Sequence, residues 1–285
     1  MKVSLNGTIV ERKEAAAKVE TDGLYYGLGC FETLMSYESR FLHLGKHFQR
    51  LNEGVSYLTG SSRKLFSEDL LRTEIIDLLE VNNLGRSQAR VRIQYSIAER
   101  FGYSIPVSEN PEYTCLITVD KVQDIKKDSY KLKTVDTTVV PLSSRPTHLK
   151  LSNMLHYRQA AIEAKRAGAD DGLMLTVTGD VAETSIANIF WEKDGVFYTP
   201  SYDCDILPGT ARSIVIDIIE KSGGEVRQGQ YRPEVLKSAT HVWVCNSIKE
   251  VLPVTKIDRT SFTVDSKVSW KLQKDFESYK KVHLV

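Results

Sequence analysis

The stretch from Pro146 to Trp191 constrains the fold more than any other, because it sets a lysine and a lone acid at the joints of alternating strand and helix patterns. Lys131 to Pro141 is β-rich, and Asn153 to Ala167 carries Met154, Leu155, Ala161, Ile162 and Ala164 mainly on one side of a helix that Gly168 stops. Lys150 therefore leaves from a junction between strand and helix, a place to hold an amine. Leu173 to Val177 reads as a strand and Thr178-Gly179-Asp180 as a turn. Beyond the turn, Glu183 stands alone among small and polar residues before the apolar run that ends at Trp191, and this setting predicts that it points inward. Solvated lysines and acids are the commoner case, so these two residues gain meaning only from the parts around them.

Upstream, Met1 to Val10 reads as two short strands joined at Asn6-Gly7, and Lys13 to Ala17 as a charged, alanine-rich connector. Leu24 to Tyr37 sets aromatic residues around closely spaced glycines, which suits either a core strand with a bulge or a close approach of backbone to a bound molecule. Leu44 to Leu58 is helical by its spacing of Phe48, Leu51, Val55 and Leu58, with Arg50 beside that stripe, where an arginine commonly snorkels or forms a salt bridge. Ser67 to Val81 is a second helix, carried by Leu70, Leu71, Ile75, Ile76, Leu78 and Leu79. Ala89 to Ile97 alternates Val91, Ile93, Tyr95 and Ile97 against Arg90, Arg92, Gln94 and Ser96, the mark of a half-buried strand, and Tyr113 to Val119 is another.

Asp120 to Tyr130 is charged and aperiodic, so residues 121–130 read as a linker between a small α/β domain over 1–120 and a larger domain over 131–285. In the larger one, Leu207-Pro208-Gly209 leads into a helix through about Lys221, whose first amides can hold a phosphate or merely form a loop-to-helix turn. His241 to Cys245 is a buried strand ending at Asn246-Ser247, Phe262 to Val264 is strand-like, and Ser266 to Lys280 is helical.

Lys and Arg total 38 against 37 Asp and Glu, a net charge of +1, which disfavours a nucleic-acid partner. No apolar run approaches the roughly 18 residues of a membrane span, and no secretory stretch follows Met1, so a soluble cytoplasmic protein with no membrane partner is expected. Cys30, Cys115, Cys204 and Cys245 are far apart and the six histidines lack ligand spacing, so neither a disulfide framework nor a metal site is indicated.

Six motifs in one order resemble the class IV aminotransferases, the pyridoxal 5'-phosphate enzymes of fold type IV. Tyr26-Gly27-Leu28-Gly29-Cys30-Phe31-Glu32-Thr33 is similar to the early glycine motif, and His47-Phe48-Gln49-Arg50-Leu51 to the phosphate-arginine motif. Leu149-Lys150 with Asn153 resembles the Schiff-base lysine segment, and Glu183 through Asn188 to Phe190 the segment whose acid faces the cofactor ring. Leu207 to Arg212, and Asn246-Ser247 with Leu252-Pro253-Val254, complete the set. The resemblance implies an α+β, two-domain fold of the D-amino-acid aminotransferase type, with a pseudo-barrel as the larger domain, and usually a homodimer.

The resemblance also implies roles. Lys150 would be the catalytic lysine, with Arg50, Glu183, Leu207, Thr210, Ala211 and Ser247 holding the cofactor, and Tyr26, Phe31, Tyr95 and Arg100 near the substrate. The three-residue interval from Lys150 to Asn153, and the forms Gly29-Cys30-Phe31 and Ala187-Asn188-Ile189-Phe190-Trp191, resemble 4-amino-4-deoxychorismate lyase more than the branched-chain enzymes. D-amino-acid transaminases share the interval. Leu28 stands where lyases often have Asp, and Phe101 intervenes in Arg100-Phe101-Gly102-Tyr103-Ser104, where the lyase loop has Arg directly before Gly-Tyr. The expected reaction is therefore the lyase's, followed by transamination of branched-chain or D-amino acids, and then by a non-catalytic binding protein that kept the fold.

Overall fold

In a computed structural model of the protein, which describes residues 1–60, 66–103, 111–122, 128–264 and 266–285, the chain turns back at Asn6 and Gly7. Lys2–Leu5 (β1) consequently pairs antiparallel with Thr8–Glu11 (β2). These strands belong to a first unit made of Met1–Asp124, Leu149–Asn153 and His283–Val285. After the short helix Asp22–Tyr25 (α1) come Gly29–Tyr37 (β3), Arg40–Phe41 (β4), Leu44–Thr59 (α2), Glu68–Val81 (α3), Gln88–Ile97 (β5) and Tyr113–Lys121 (β6). The six strands form one antiparallel sheet in the order β2-β1-β6-β5-β3-β4.

The alternation predicted for β5 is present, with Ala89, Val91, Ile93, Tyr95 and Ile97 buried. That face joins Phe48, Leu51 and Val55 of α2 and Leu71, Ile75 and Leu78 of α3 in one apolar cluster. Leu70 of α3, expected in the stripe, is instead 72% exposed. A methyl group on Gly54 would meet the Cys30 side chain at 2.9 Å, so α2 lies against β3 at a separation that leaves no room for a side chain.

The sequence reading assigns Lys150 to residues 131–285, and the structure corrects this. The Phe31 amide donates to the Lys150 carbonyl (2.9 Å) and the Ser152 amide to the Gly29 carbonyl (2.8 Å), while Leu151 bridges Cys30. Strand β4 meets β3 at Ser36 and Tyr37, so the start of β3 has an edge that β4 does not cover and that residues 150–152 fill. Leu149 and Leu151 then enter the first unit's core.

The second unit comprises Ile125–His148 and Met154–Val282. Its elements are Tyr130–Thr134 (β7), Leu155–Arg166 (α4), Asp171–Leu175 (β8), Val181–Thr184 (β9), Asn188–Lys193 (β10), Val196–Pro200 (β11), Thr210–Lys221 (α5), Glu225–Gly229 (β12), His241–Asn246 (β13), Glu250–Ile257 (β14), Thr260–Ser261 (β15) and Ser266–His283 (α6). The sheet runs β12-β11-β10-β13-β14-β7-β8-β9, with β15 also on β14. The pairs β11–β12, β14–β7 and β7–β8 are parallel.

Helix α4 buries Ala164 of the predicted stripe together with Tyr157 and Ala160, whereas Leu155 is 80% and Ile162 41% exposed. Phe262 to Val264 is not a strand, and the pairing falls instead on Thr260 and Ser261. Of the expected linker and of the Arg100–Ser104 loop, residues 123–127 and Ser104 lie outside the described residues. Among the described residues no helix is long and apolar enough to cross a membrane.

Candidate active site

In the first unit the pairing of residues 150–152 with β3 fixes the Lys150 backbone, and its Nζ lies 4.8 Å from the centre of the Phe31 ring. Phe31 pairs with Gln94 across the β3–β5 ladder, and Thr33 with Arg92, so Phe31, Arg92 and Gln94 share one face of the sheet. The Arg92 guanidinium sits 3.9 Å from the same ring, a cation–π contact, and donates to Gln94 Oε1 at 2.8 Å. Gln94 in turn donates to Ser152 Oγ at 2.7 Å. Half-burial and the charge of Arg90 lower the Arg92 pKa, yet a guanidinium starts so high that it remains a cation. The face therefore presents an amine and a cation over one aromatic ring.

Arg50 projects from α2 onto Glu32 of β3. Its Nε donates to Glu32 Oε1 (2.5 Å) and its Nη2 to Oε2 (2.9 Å), and His47 Nδ1 reaches Oε2 at 2.7 Å. Glu32 has no solvent exposure. Burial pushes its pKa up, but the charges of Arg50 and His47 and their hydrogen bonds outweigh burial and bring it to about 2.

In the second unit β9 places Glu183 inward, at 4% exposure, as its setting predicts. Its Oε1 accepts from the Tyr157 hydroxyl (2.6 Å) and the Leu207 amide (3.1 Å), and its Oε2 from Asn188 Nδ2 (3.0 Å). Burial and the adjacent carboxylate drive the Tyr157 pKa well up, so the phenol keeps its proton and acts as a donor. Asn188 Nδ2 also binds the Leu207 carbonyl at 3.0 Å, tying the acid to the loop that enters α5.

That loop ends at Gly209, the N-cap of α5, which has no side chain to cap the first turn. Thr210 and Ala211 are buried in that turn, where helix amides have no partner within the helix. A Cβ on Gly209 would collide with Asn188 Oδ1, so the entry to the helix packs against the residue that steadies Glu183. Ser247 is half-buried in a turn organised by Asn246, whose Oδ1 accepts from the amides of Ile248 (3.0 Å) and Lys249 (2.8 Å). The chemistry of these donors fits the cofactor that the motifs imply. Taken unit by unit, the first holds an amine, Lys150, of the kind an aldehyde takes up, and a guanidinium, Arg50, of the kind that suits a phosphate, while the second holds an anchored carboxylate, Glu183, and a helix N-terminus at α5 with free amide donors.

Tyr26 is 49% exposed. Arg100 is paired with Glu20 at 3.7 Å on the surface and lies 5.4 Å from the Tyr25 ring. Tyr95 is a correction. It is fully buried on the opposite face of β5 from Gln94, stacked on Tyr113 and edge-on to Phe66, so it packs the core and leaves the set of substrate candidates. The sequence candidates did not include Arg92 and Gln94, which share a face with Phe31, or Glu32 and Tyr157, which bond to Arg50 and Glu183. The alternation along β5 separates Arg92 and Gln94 from the core, but it does not reveal that their face meets Phe31 and Ser152.

The amino-transferase class IV family model matches residues 29–257. The chain is 30% identical over 265 residues to the aminodeoxychorismate lyase of Bacillus subtilis (strain 168), covering 91% of this chain and 88% of that one. It is 29% identical over 258 residues to a putative branched-chain-amino-acid aminotransferase of Methanocaldococcus jannaschii, covering 90% and 88%. The crystal structure of a branched-chain amino acid aminotransferase from T.th., complexed with N-(5'-phosphopyridoxyl)-L-glutamate, superposes with a TM-score of 0.88 at 25% identity, covering 100% of this chain and 97% of that one.

Proposed function

The chain belongs to the class IV aminotransferases, and on that premise we propose that it is a lyase converting 4-amino-4-deoxychorismate into 4-aminobenzoate and pyruvate, a step of folate synthesis. It is a pyridoxal 5'-phosphate-dependent enzyme. The relationship to the Bacillus subtilis lyase over nine-tenths of the chain carries the choice of reaction. Arg92, a cation on the Phe31 ring near Lys150, suits the carboxylate that the substrates of both the lyase and the aminotransferases carry.

When bound, pyridoxal phosphate supplies an aldehyde that takes up the substrate's amine and a ring that withdraws electrons from the adjoining carbon. Lys150 Nζ holds the aldehyde between turnovers and then takes the proton from the carbon bearing that amine. Glu183 Oε1 and Oε2, oriented by Tyr157, Leu207 and Asn188, hold a proton on the ring nitrogen. By the family resemblance, Arg50 would bind the phosphate, as would the amides of Thr210 and Ala211, Leu207 would pack on the ring and Ser247 would add a hydroxyl. Arg92 and Gln94 orient the substrate, with Tyr26 and Phe31 as walls. The electron pair left by the proton that Lys150 takes would form a new ring double bond as the neighbouring C–O bond breaks; the substituent leaves as the enolate of pyruvate and takes up a proton, and the remaining ring becomes aromatic, which favours the products.

Incubation of the purified enzyme with aminodeoxychorismate alone tests this: pyruvate and 4-aminobenzoate released without a keto-acid acceptor support it. Amino transfer from branched-chain or D-amino acids to 2-oxoglutarate, with no such release, supports instead an aminotransferase, the reading that the relationship to the Methanocaldococcus jannaschii protein favours. The working form in this reading is a cytoplasmic homodimer. Light scattering at twice the 32.2 kDa chain mass agrees with a dimer, and a single-chain mass contradicts it.

A further inference from the structure

We propose that Glu32 is a positioning residue for the phosphate end of this site, bracing Arg50 from β3 so that its guanidinium meets the phosphate in one fixed plane. The proposal rests on the reading in which Arg50 binds that phosphate. Arg50 and His47 lie three residues apart on α2, and both reach one carboxylate that water does not touch. Two parallel bonds, at 2.5 and 2.9 Å, fix the plane of a guanidinium as a single contact does not. Glu32 alternates along β3 with Cys30 and Leu34, which pack the core from the same face of the strand. An apolar residue would fill such a place without the penalty of burying a charge. The acid is accounted for if it orders a long, rotamer-rich side chain before the anion arrives, which removes an entropy cost from binding.

Two physical pictures give opposite signs. If only net charge mattered, Glu32→Gln would leave Arg50 less neutralised and tighten the grip on a phosphate. If the brace matters, the same change frees the guanidinium to turn and loosens it.

The experiment measures dissociation constants of the full-length apoprotein for pyridoxal phosphate and for pyridoxal, which lacks the phosphate. For Glu32→Gln we expect binding of pyridoxal phosphate to weaken about tenfold, the effect of losing one aligned charge-assisted hydrogen bond, with pyridoxal unchanged. Equal weakening of both ligands, no change, or tighter pyridoxal phosphate binding overturns the proposal. Glu32→Asp, which keeps the charge but withdraws the carboxylate, is expected to show the same selective loss, and serves if the glutamine variant does not fold; an unchanged ratio there also overturns the brace. Arg50→Gln separates the levels. If it does not weaken pyridoxal phosphate selectively, the phosphate role of Arg50 fails, whereas a selective effect of Arg50→Gln with none at Glu32 fails the brace alone.

Discussion

A buried carboxylate that is to act as an anion must be held in place, and Glu183 is held by donors from three parts of the second unit. Tyr157 comes from α4, Asn188 from β10 and the Leu207 amide from the loop before α5. Removing the acid leaves the amine and the phosphate donors intact. Glu183→Ala is therefore expected to retain bound cofactor in its absorption spectrum while turnover falls by about two orders of magnitude, a size typical of losing a preorganised electrostatic group; turnover within error of wild type would remove Glu183 from the site. The inward setting of Glu183 was legible because it is a lone charge among small and polar residues before an apolar run. Tyr95 shows the opposite case. Its place in the apolar set of β5 marks it as core, whereas motif resemblance alone sets it beside the substrate, and the local alternation is the better guide.

At the level of elements, periodicity located α2 to α5 to within a residue or two, stopped three residues short on α6 and gave no sign of the short α1, and it assigned the buried faces less well. For α4 the spacing of apolar side chains favours Leu155 and Ile162, yet the face that packs is Tyr157, Ala160 and Ala164, because small residues let the helix approach β8 and the phenol reaches Glu183. Residues 149–153 were illegible for another reason, since their hydrogen bonds go to Gly29 and Phe31 and no local signal encodes so distant a partner. The approach of α2 to β3 yields a second prediction. Gly54→Ala forces a methyl group against Cys30 and is expected to lower stability by about 1–3 kcal/mol as overpacking. Urea unfolding would show a lower midpoint, and because α2 carries Arg50, weaker cofactor binding should accompany it; an unchanged midpoint would contradict the packing described.

For the whole molecule, buried titratable groups set the response to acid. Burial, aided by the charge of Arg145, holds the His156 pKa at about 4 in place of the usual 6.5. The unfolded chain thus takes up a proton below pH 6.5 that the folded chain refuses until about 4, so this contribution is complete above 6.5 and is lost as pH falls through that window. Glu32 follows lower down: its contribution is present above 4.5 and is lost as pH falls toward 2. Melting temperature should decline in two stages on acidification, and His156→Gln should flatten the upper one; a slope unchanged between pH 6.5 and 4 in that variant would refute the assignment. Lys150 belongs to the first unit and Glu183 to the second, a division no motif predicts. The most direct test is borohydride reduction of the purified holoprotein, followed by peptide mapping by mass spectrometry. A pyridoxyl-phosphate adduct on Lys150, with loss of the visible absorption and no adduct in Lys150→Ala, is the predicted result; an adduct on another lysine, or none on a protein that binds the cofactor and turns over, would contradict it.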